Sequence, residues 1–207
     1  MRIINAIVSL GLLLWIDAAS AEQPISHFLT VGHHNSVEMD DDKADRILAQ
    51  ASKVLDKCNV VLKRKDSVGK FVSSHTPAIA KDVPTRDAIF GENFDVKVVG
   101  LFSISFCRVE QPDQFGCAWD PPSSPKNARP RHRSIIVADL PVDLAGKMWA
   151  HEFGHMTGLP HRPEKRALMA CRVRDAEIIS ETECDCLRQG RGACDQEPEP
   201  AEKCALP

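Results

Sequence analysis

The stretch His151-Glu152-Phe153-Gly154-His155-Met156-Thr157-Gly158-Leu159-Pro160-His161 constrains this chain more than any other. Residues four apart on a helix lie on one face, a turn apart. His151 and His155 can therefore present two imidazoles to one cation if the stretch is helical. Glu152 stands one step around the helix, beside that face, where it can reach a water on the metal without taking a coordination position. Gly158 adopts a left-handed backbone at low cost, so it can end the helix and turn the chain back. His161 then approaches from another direction. Three neutral imidazoles with one open position are the donor set of catalytic rather than structural zinc. Zinc lowers the pKa of its water towards ~7 and polarises a carbonyl. Glu152 would take the water proton and deliver one to a leaving amine. The competing reading, an amphipathic helix with surface histidines, leaves this polar cluster without a purpose.

A fold that serves such a site needs a helix over Val142 to Met156 and a turn directly after it. Upstream, Ala44, Ile47, Leu48, Ala51, Val54 and Leu55 recur at offsets of three and four, which predicts an amphipathic helix from Asp40 to Lys57. Asp40, Asp41 and Asp42 sit where the helix dipole favours negative charge. Consecutive acids do not converge on calcium as an alternating loop does. Strands are expected at Cys58 to Leu62, at Val96 to Cys107, and at Ser134 to Ala138 (SIIVA). Residues 73–93 and 110–130, punctuated by Pro and Gly, are expected as connections. Ser180 with Glu183 fits a capping box opening a last helix to Leu187. His33 and His34 read as surface residues, His27 and His75 as isolated, and Trp149 as packing into the core behind the site.

Three segments are expected. Met1 and Arg2, the apolar run Ile3 to Ile16 and Ala19-Ser20-Ala21 have the layout of a secretory signal over residues 1–21. The run is shorter than the ~20 residues of a membrane span. Residues 22–189 form one domain, and residues 190–207 a Cys-, Glu- and Pro-containing tail. The eight cysteines, Cys58, Cys107, Cys117, Cys171, Cys184, Cys186, Cys194 and Cys204, all follow the signal. An even count in that context implies a disulfide framework in an oxidising compartment, with on the order of a hundred connectivities open. Cys107 and Cys117 can staple the start of the 110–130 loop. Lys plus Arg is 26 and Asp plus Glu is 29, so a net charge of -3 gives no electrostatic reason to expect nucleic acid or an anionic membrane as partner.

HEFGHMTGLPH resembles the extended motif of the metzincin metallopeptidases. Ala167-Leu168-Met169-Ala170 is similar to their methionine turn, and its spacing and Ala-Leu-Met triplet look like the matrixin branch. The resemblance covers roughly residues 40–189, with sharp motifs only at 151–169. It implies an α+β zincin domain: a twisted mixed β-sheet with an active-site helix and a C-terminal helix. It also implies Met169 as an apolar floor under the three histidines, SIIVA as the edge strand that substrate pairs with, and a structural Ca2+ whose ligands are unassigned. By that implication Arg131, His132 and Arg133 could influence subsite preference, although the plainer reading of these charges is a solvated loop. The departures are Arg162, where matrixins usually have Ser, and Ala170-Cys171-Arg172 in place of the Tyr-Pro sequence that shapes their specificity pocket. They fit a divergent member, such as a bacterial one, and substrate preference does not carry over. For Cys171 a disulfide to the last helix is expected.

The expectation is thus a secreted, monomeric, zinc-dependent endopeptidase. It would cleave internal bonds of proteins or peptides, with no nucleic-acid partner and no stable membrane association. The rival is a secreted zinc-containing binding protein with little turnover. Glu152 argues against that rival, because a binding module has no need of a water-activating carboxylate.

Overall fold

The computed structural model describes residues 23–71, 79–100, 104, 115–118 and 133–194. The expected signal, Cys107, Cys204, His75 and the charged pair Arg131-His132 lie outside them. Strand β1 (Ile25–Leu29) runs through Thr30 into β2 (Val31–His34), and helix α1 (Asp41–Leu55) crosses to β3 (Val60–Arg64) and β4 (Gly69–Phe71). Helix α2 (Val83–Gly91) leads to β5 (Val96–Val99). After β6 (Gly116–Ala118) and β7 (Ser134–Val137) come α3 (Val142–Met156) and α4 (Glu181–Gln189). The main sheet has the order β4-β2-β5-β7-β6, and β1 pairs with β3 in a two-stranded extension. All pairings are parallel except β6 with β7. The chain is therefore α+β with a twisted mixed sheet, as expected.

The expected stripe on α1 is buried at Ala44, Ile47, Leu48, Ala51 and Leu55, and Asp40 caps the helix by accepting the Lys43 amide at 2.7 Å. Asp41 accepts the Val68 amide at 2.7 Å and pairs with Arg64 at 3.2 Å. Two carboxylates of the acidic run are thus engaged in local anchoring. Helices α1 and α3 pack together on one face of the sheet, over Val31, Val96, Val98 and Ile136. On the other face α2 contributes Ile89 and Phe90 to a second cluster with Phe71, Val99, Ile135 and Val137. Both β5 and β7 are buried at every position, as strands covered by helices on both faces should be.

Several expectations change. Residues 73–93 are not all connection, because α2 starts at a capping box in which Asp82 accepts the Thr85 amide at 2.9 Å. Within 110–130, β6 is a strand. It pairs antiparallel with β7, so SIIVA is an interior strand and, among the described residues, β6 is the edge. His33 is buried in β2, with Nδ1 2.7 Å from the Val37 carbonyl. His27 packs its ring against Phe153 at 5.1 Å. Cys58 is bonded to Cys184 and Cys186 to Cys194. Cys117 and Cys171 are also disulfide-bonded, yet Cys171 cannot be joined to α4, because both cysteines of that helix have other partners. Beyond α4, the Gly192 and Cys194 amides donate to the Met156 and Thr157 carbonyls at 3.0 and 2.9 Å, so this segment packs on the end of α3.

Candidate metal centre

Helix α3 starts after Pro141 and runs, largely buried, to Met156. Trp149, Ala150, Phe153 and Met156 turn into the core. Its last turn is closed from three sides. The Thr157 hydroxyl donates to the Gly154 carbonyl at 2.7 Å, and the amides of Gly158 and Leu159 return to His155 and Gly154 at 2.9 and 3.0 Å. Gly158 has φ +94°, the left-handed geometry that the reversal requires. The chain that leaves this turn delivers His161 to the face carrying His151 and His155.

The three rings converge. Their centroids lie 4.6 Å apart for His151 and His155, 5.3 Å for His151 and His161, and 4.4 Å for His155 and His161. One ring nitrogen from each lies within 4.8 Å of the others, a group able to hold a metal ion. Backbone carbonyls orient the rings. His151 Nδ1 is 2.7 Å from the Leu168 carbonyl and His155 Nδ1 is 2.8 Å from the Leu159 carbonyl. A carbonyl can only accept, so both Nδ1 atoms carry the proton and both Nε2 atoms keep a lone pair directed inwards. His155 Nε2 lies 3.0 Å from His161 Nε2. A lone pair at that distance from a second ring nitrogen calls for a proton or a cation. Burial first, and then the nearby His161, push the pKa of His151 down to about 3, which keeps this ring neutral as a ligand must be.

Glu152 is buried on the same turn, and burial pushes its carboxyl up to about 8. Among the described residues its Oε2 is buried without a hydrogen-bond partner. An orphaned carboxylate oxygen on the helix that carries two of the three converging imidazoles fits a site completed by a cation and water. Gly116 of β6 lies directly against this carboxylate, where a Cβ would overlap Oε1. Met169 is fully buried, and its sulfur packs on Gly154 of α3. The residue before it supplies the carbonyl that orients His151, and its own carbonyl accepts the Arg162 amide at 2.7 Å.

The residues that the sequence singles out for the metal site, His151, Glu152, His155, Gly158, His161 and Met169, thus gather at one end of α3. Two kinds of contributor are not legible there: Gly116, and the carbonyls of Leu159 and Leu168. Gly116 could be found only from its approach to Glu152. Backbone carbonyls leave no signal in side-chain identity. Among the described residues no second cluster of metal-ligand type assembles, and no helix is long and apolar enough to cross a membrane.

No protein-family model and no curated protein matches the chain. Among solved structures it is similar to metalloproteinase-II from Bacteroides fragilis, at 11% identity and a TM-score of 0.49, over 85% of this chain and 55% of that one. This chain therefore spans about half the length of that relative. It is also similar to archaemetzincin from Methanopyrus kandleri, at 15% identity and a TM-score of 0.46, over 83% of this chain and 97% of that one. Likenesses this distant carry no argument about activity, and the chemistry of the site stands on its own atoms.

Proposed function

We propose that this chain is a zinc-dependent endopeptidase of the metzincin type, matrixin-like in its motifs, that cleaves internal bonds of proteins or peptides. The carrying observation is the meeting of three ring nitrogens within 4.8 Å on the turn of α3 where Glu152 has a buried oxygen without a partner. His151, His155 and His161 would hold the ion, and Met169 would lie beneath them. Zinc bound there would supply a Lewis acid that polarises the scissile carbonyl and acidifies water. Glu152 does the proton work. Its carboxyl, raised by burial, would fall towards the ordinary range with a cation bound beside it. It can then accept a proton at Oε2 from the attacking water and release it to the leaving nitrogen. The edge of the sheet beside it is β6, and an extended peptide would add there as a further strand. Secretion through the 1–21 signal accords with the absence of free cysteines among the described residues.

The test uses the full-length sequence expressed through an oxidising secretory route. The product is incubated with a complex peptide mixture, and cut sites are read by mass spectrometry beside a chelated sample and Glu152→Ala. Internal cleavage by wild type alone, with about one zinc retained in Glu152→Ala, is the expected result. A folded, zinc-loaded wild type that cuts no more than Glu152→Ala does would favour the zinc-containing binding protein instead.

A further inference from the structure

Arg162 follows the third histidine, and its contacts tie the histidine loop to two other parts of the chain. Its amide donates to Met169, and it bridges to Ala170. Its guanidinium donates through Nε and Nη2 to Glu164, at 3.1 Å each, and through Nη1 to Glu183 Oε2 at 2.7 Å. The Glu164 carboxylate is half exposed, and a pair in water contributes little. The Glu183 side chain is only 6% exposed. Its Oε2 also accepts the Ser180 amide and hydroxyl at 2.6 and 2.8 Å, which fixes it in the first turn of α4. The next residue, Cys184, is bridged to Cys58, so that turn is anchored to the short turn that follows α1.

We propose that Arg162 is a positioning residue for the metal centre: by pairing with buried Glu183 it holds the loop that presents His161 to His151 and His155. The inference rests on the zinc-site reading above. His151 and His155 are placed by one helix, whereas His161 comes from beyond the turn, and its place depends on what anchors residues 159–169. Removing Arg162 leaves Glu183 as a buried carboxylate without its cation, the expensive way to break a buried pair. The strain is relieved by movement of the α4 turn or of the loop, and either shifts His161.

The test uses the full chain with its disulfides formed. Zinc affinity is measured by competition with a chromophoric chelator, coordination by the visible spectrum of the Co2+-loaded protein, and loop order by amide hydrogen exchange of the metal-free protein. Arg162→Ala and Glu183→Gln should each weaken zinc binding by about 10–100-fold, alter the cobalt spectrum, and raise exchange over residues 159–169 but not over the sheet. The double variant should be no weaker than the worse single one, and Glu164→Gln should match wild type. Should Arg162→Ala fail to fold, Glu183→Gln carries the same comparison. Wild-type affinity, spectrum and exchange in these variants would overturn the proposal. If the wild type itself binds no zinc, the zinc reading falls and the exchange comparison alone decides whether Arg162 fixes the loop.

Discussion

Glu152 and His151 are neighbours whose burial favours the neutral form of each, and this gives the metal-free chain a pH signature. The Glu152 carboxyl has a folded value of about 8 against an ordinary 4.5. Between those values the native state holds a proton that the unfolded state has released, so stability falls as pH rises through that window, by about 1.4 kcal/mol per unit at most. His151, at about 3 against 6.5, has the opposite sign: its contribution is lost as pH falls from 6.5 towards 3. Urea midpoints in chelator at pH 5 to 8 should therefore decline in wild type more steeply than in Glu152→Gln. An identical slope in both would remove Glu152 as the cause. In the zinc-loaded protein the same variant should retain the metal and lose about 10²–10⁴ in turnover. Gly116→Ala addresses the carboxylate from outside. The added methyl must displace Glu152, and a misplacement of about 1 Å costs on the order of 100-fold. Assay of turnover beside zinc content should show activity lost and metal kept. At this scale the histidines and Glu152 are legible because helix periodicity turns spacing into geometry. Gly116 is not, because its role is a contact between a strand and a helix far apart in the chain.

Elements with their own local signal are legible, and those defined by partners are not. Helices α1, α3 and α4 combine apolar recurrence or a motif with end signals, and Ser180 with Glu183 does form the capping box. Strand β6 has three residues in a Pro- and Gly-rich stretch, and only its pairing with β7 makes it a strand. The β1–β2 segment carries Ser26, His27, His33 and His34 among its apolar residues, so it reads as polar surface until the sheet buries part of it. Helix α2 is hidden because Pro84 reads as a breaker. In the first turn proline is tolerated, since that amide has no intrahelical partner. The start of α2 therefore depends on Asp82. Asp82→Ala should loosen the start of α2 and raise amide exchange within residues 83–91, while the exchange of α3 stays unchanged. An effect spread evenly over the chain would mean that α2 has no local end of its own. The correction at β7 bears on the proposed function, since a peptide strand can add only at an edge, and among the described residues the edge on that side of the sheet belongs to β6.

Across the whole molecule the two assigned disulfides enclose very different lengths of chain. Cys58 and Cys184 are 126 residues apart and join the turn after α1 to α4, enclosing most of the sheet and the helix that carries the histidines. Cys186 and Cys194 are 8 apart and hold the segment whose amides cap the Met156 and Thr157 carbonyls. An even cysteine count announces a framework but not this division, because pairing is settled by which ends the fold brings together. By chain entropy the long loop should contribute about 5 kcal/mol and the short one about 2–3 kcal/mol. Their local consequences should differ in the other direction. Loss of Cys58–Cys184 raises the entropy of the unfolded chain and leaves the end of α3 capped. Loss of Cys186–Cys194 frees the cap itself, one residue before Gly158 turns the chain towards His161. Paired substitutions of each bridge to Ala, followed by urea denaturation and by exchange of the backbone amides at positions 192 and 194, separate the two roles. The Cys58/Cys184 double variant should show the larger fall in global stability, with protection at residues 192–194 reduced only to the new global limit. The Cys186/Cys194 double variant should show the smaller fall, with that protection lost well below the global limit. If both variants lose protection in step with global stability alone, the short bridge is only a weaker version of the long one, and the segment after α4 does not act as a separate cap on the metal-site helix.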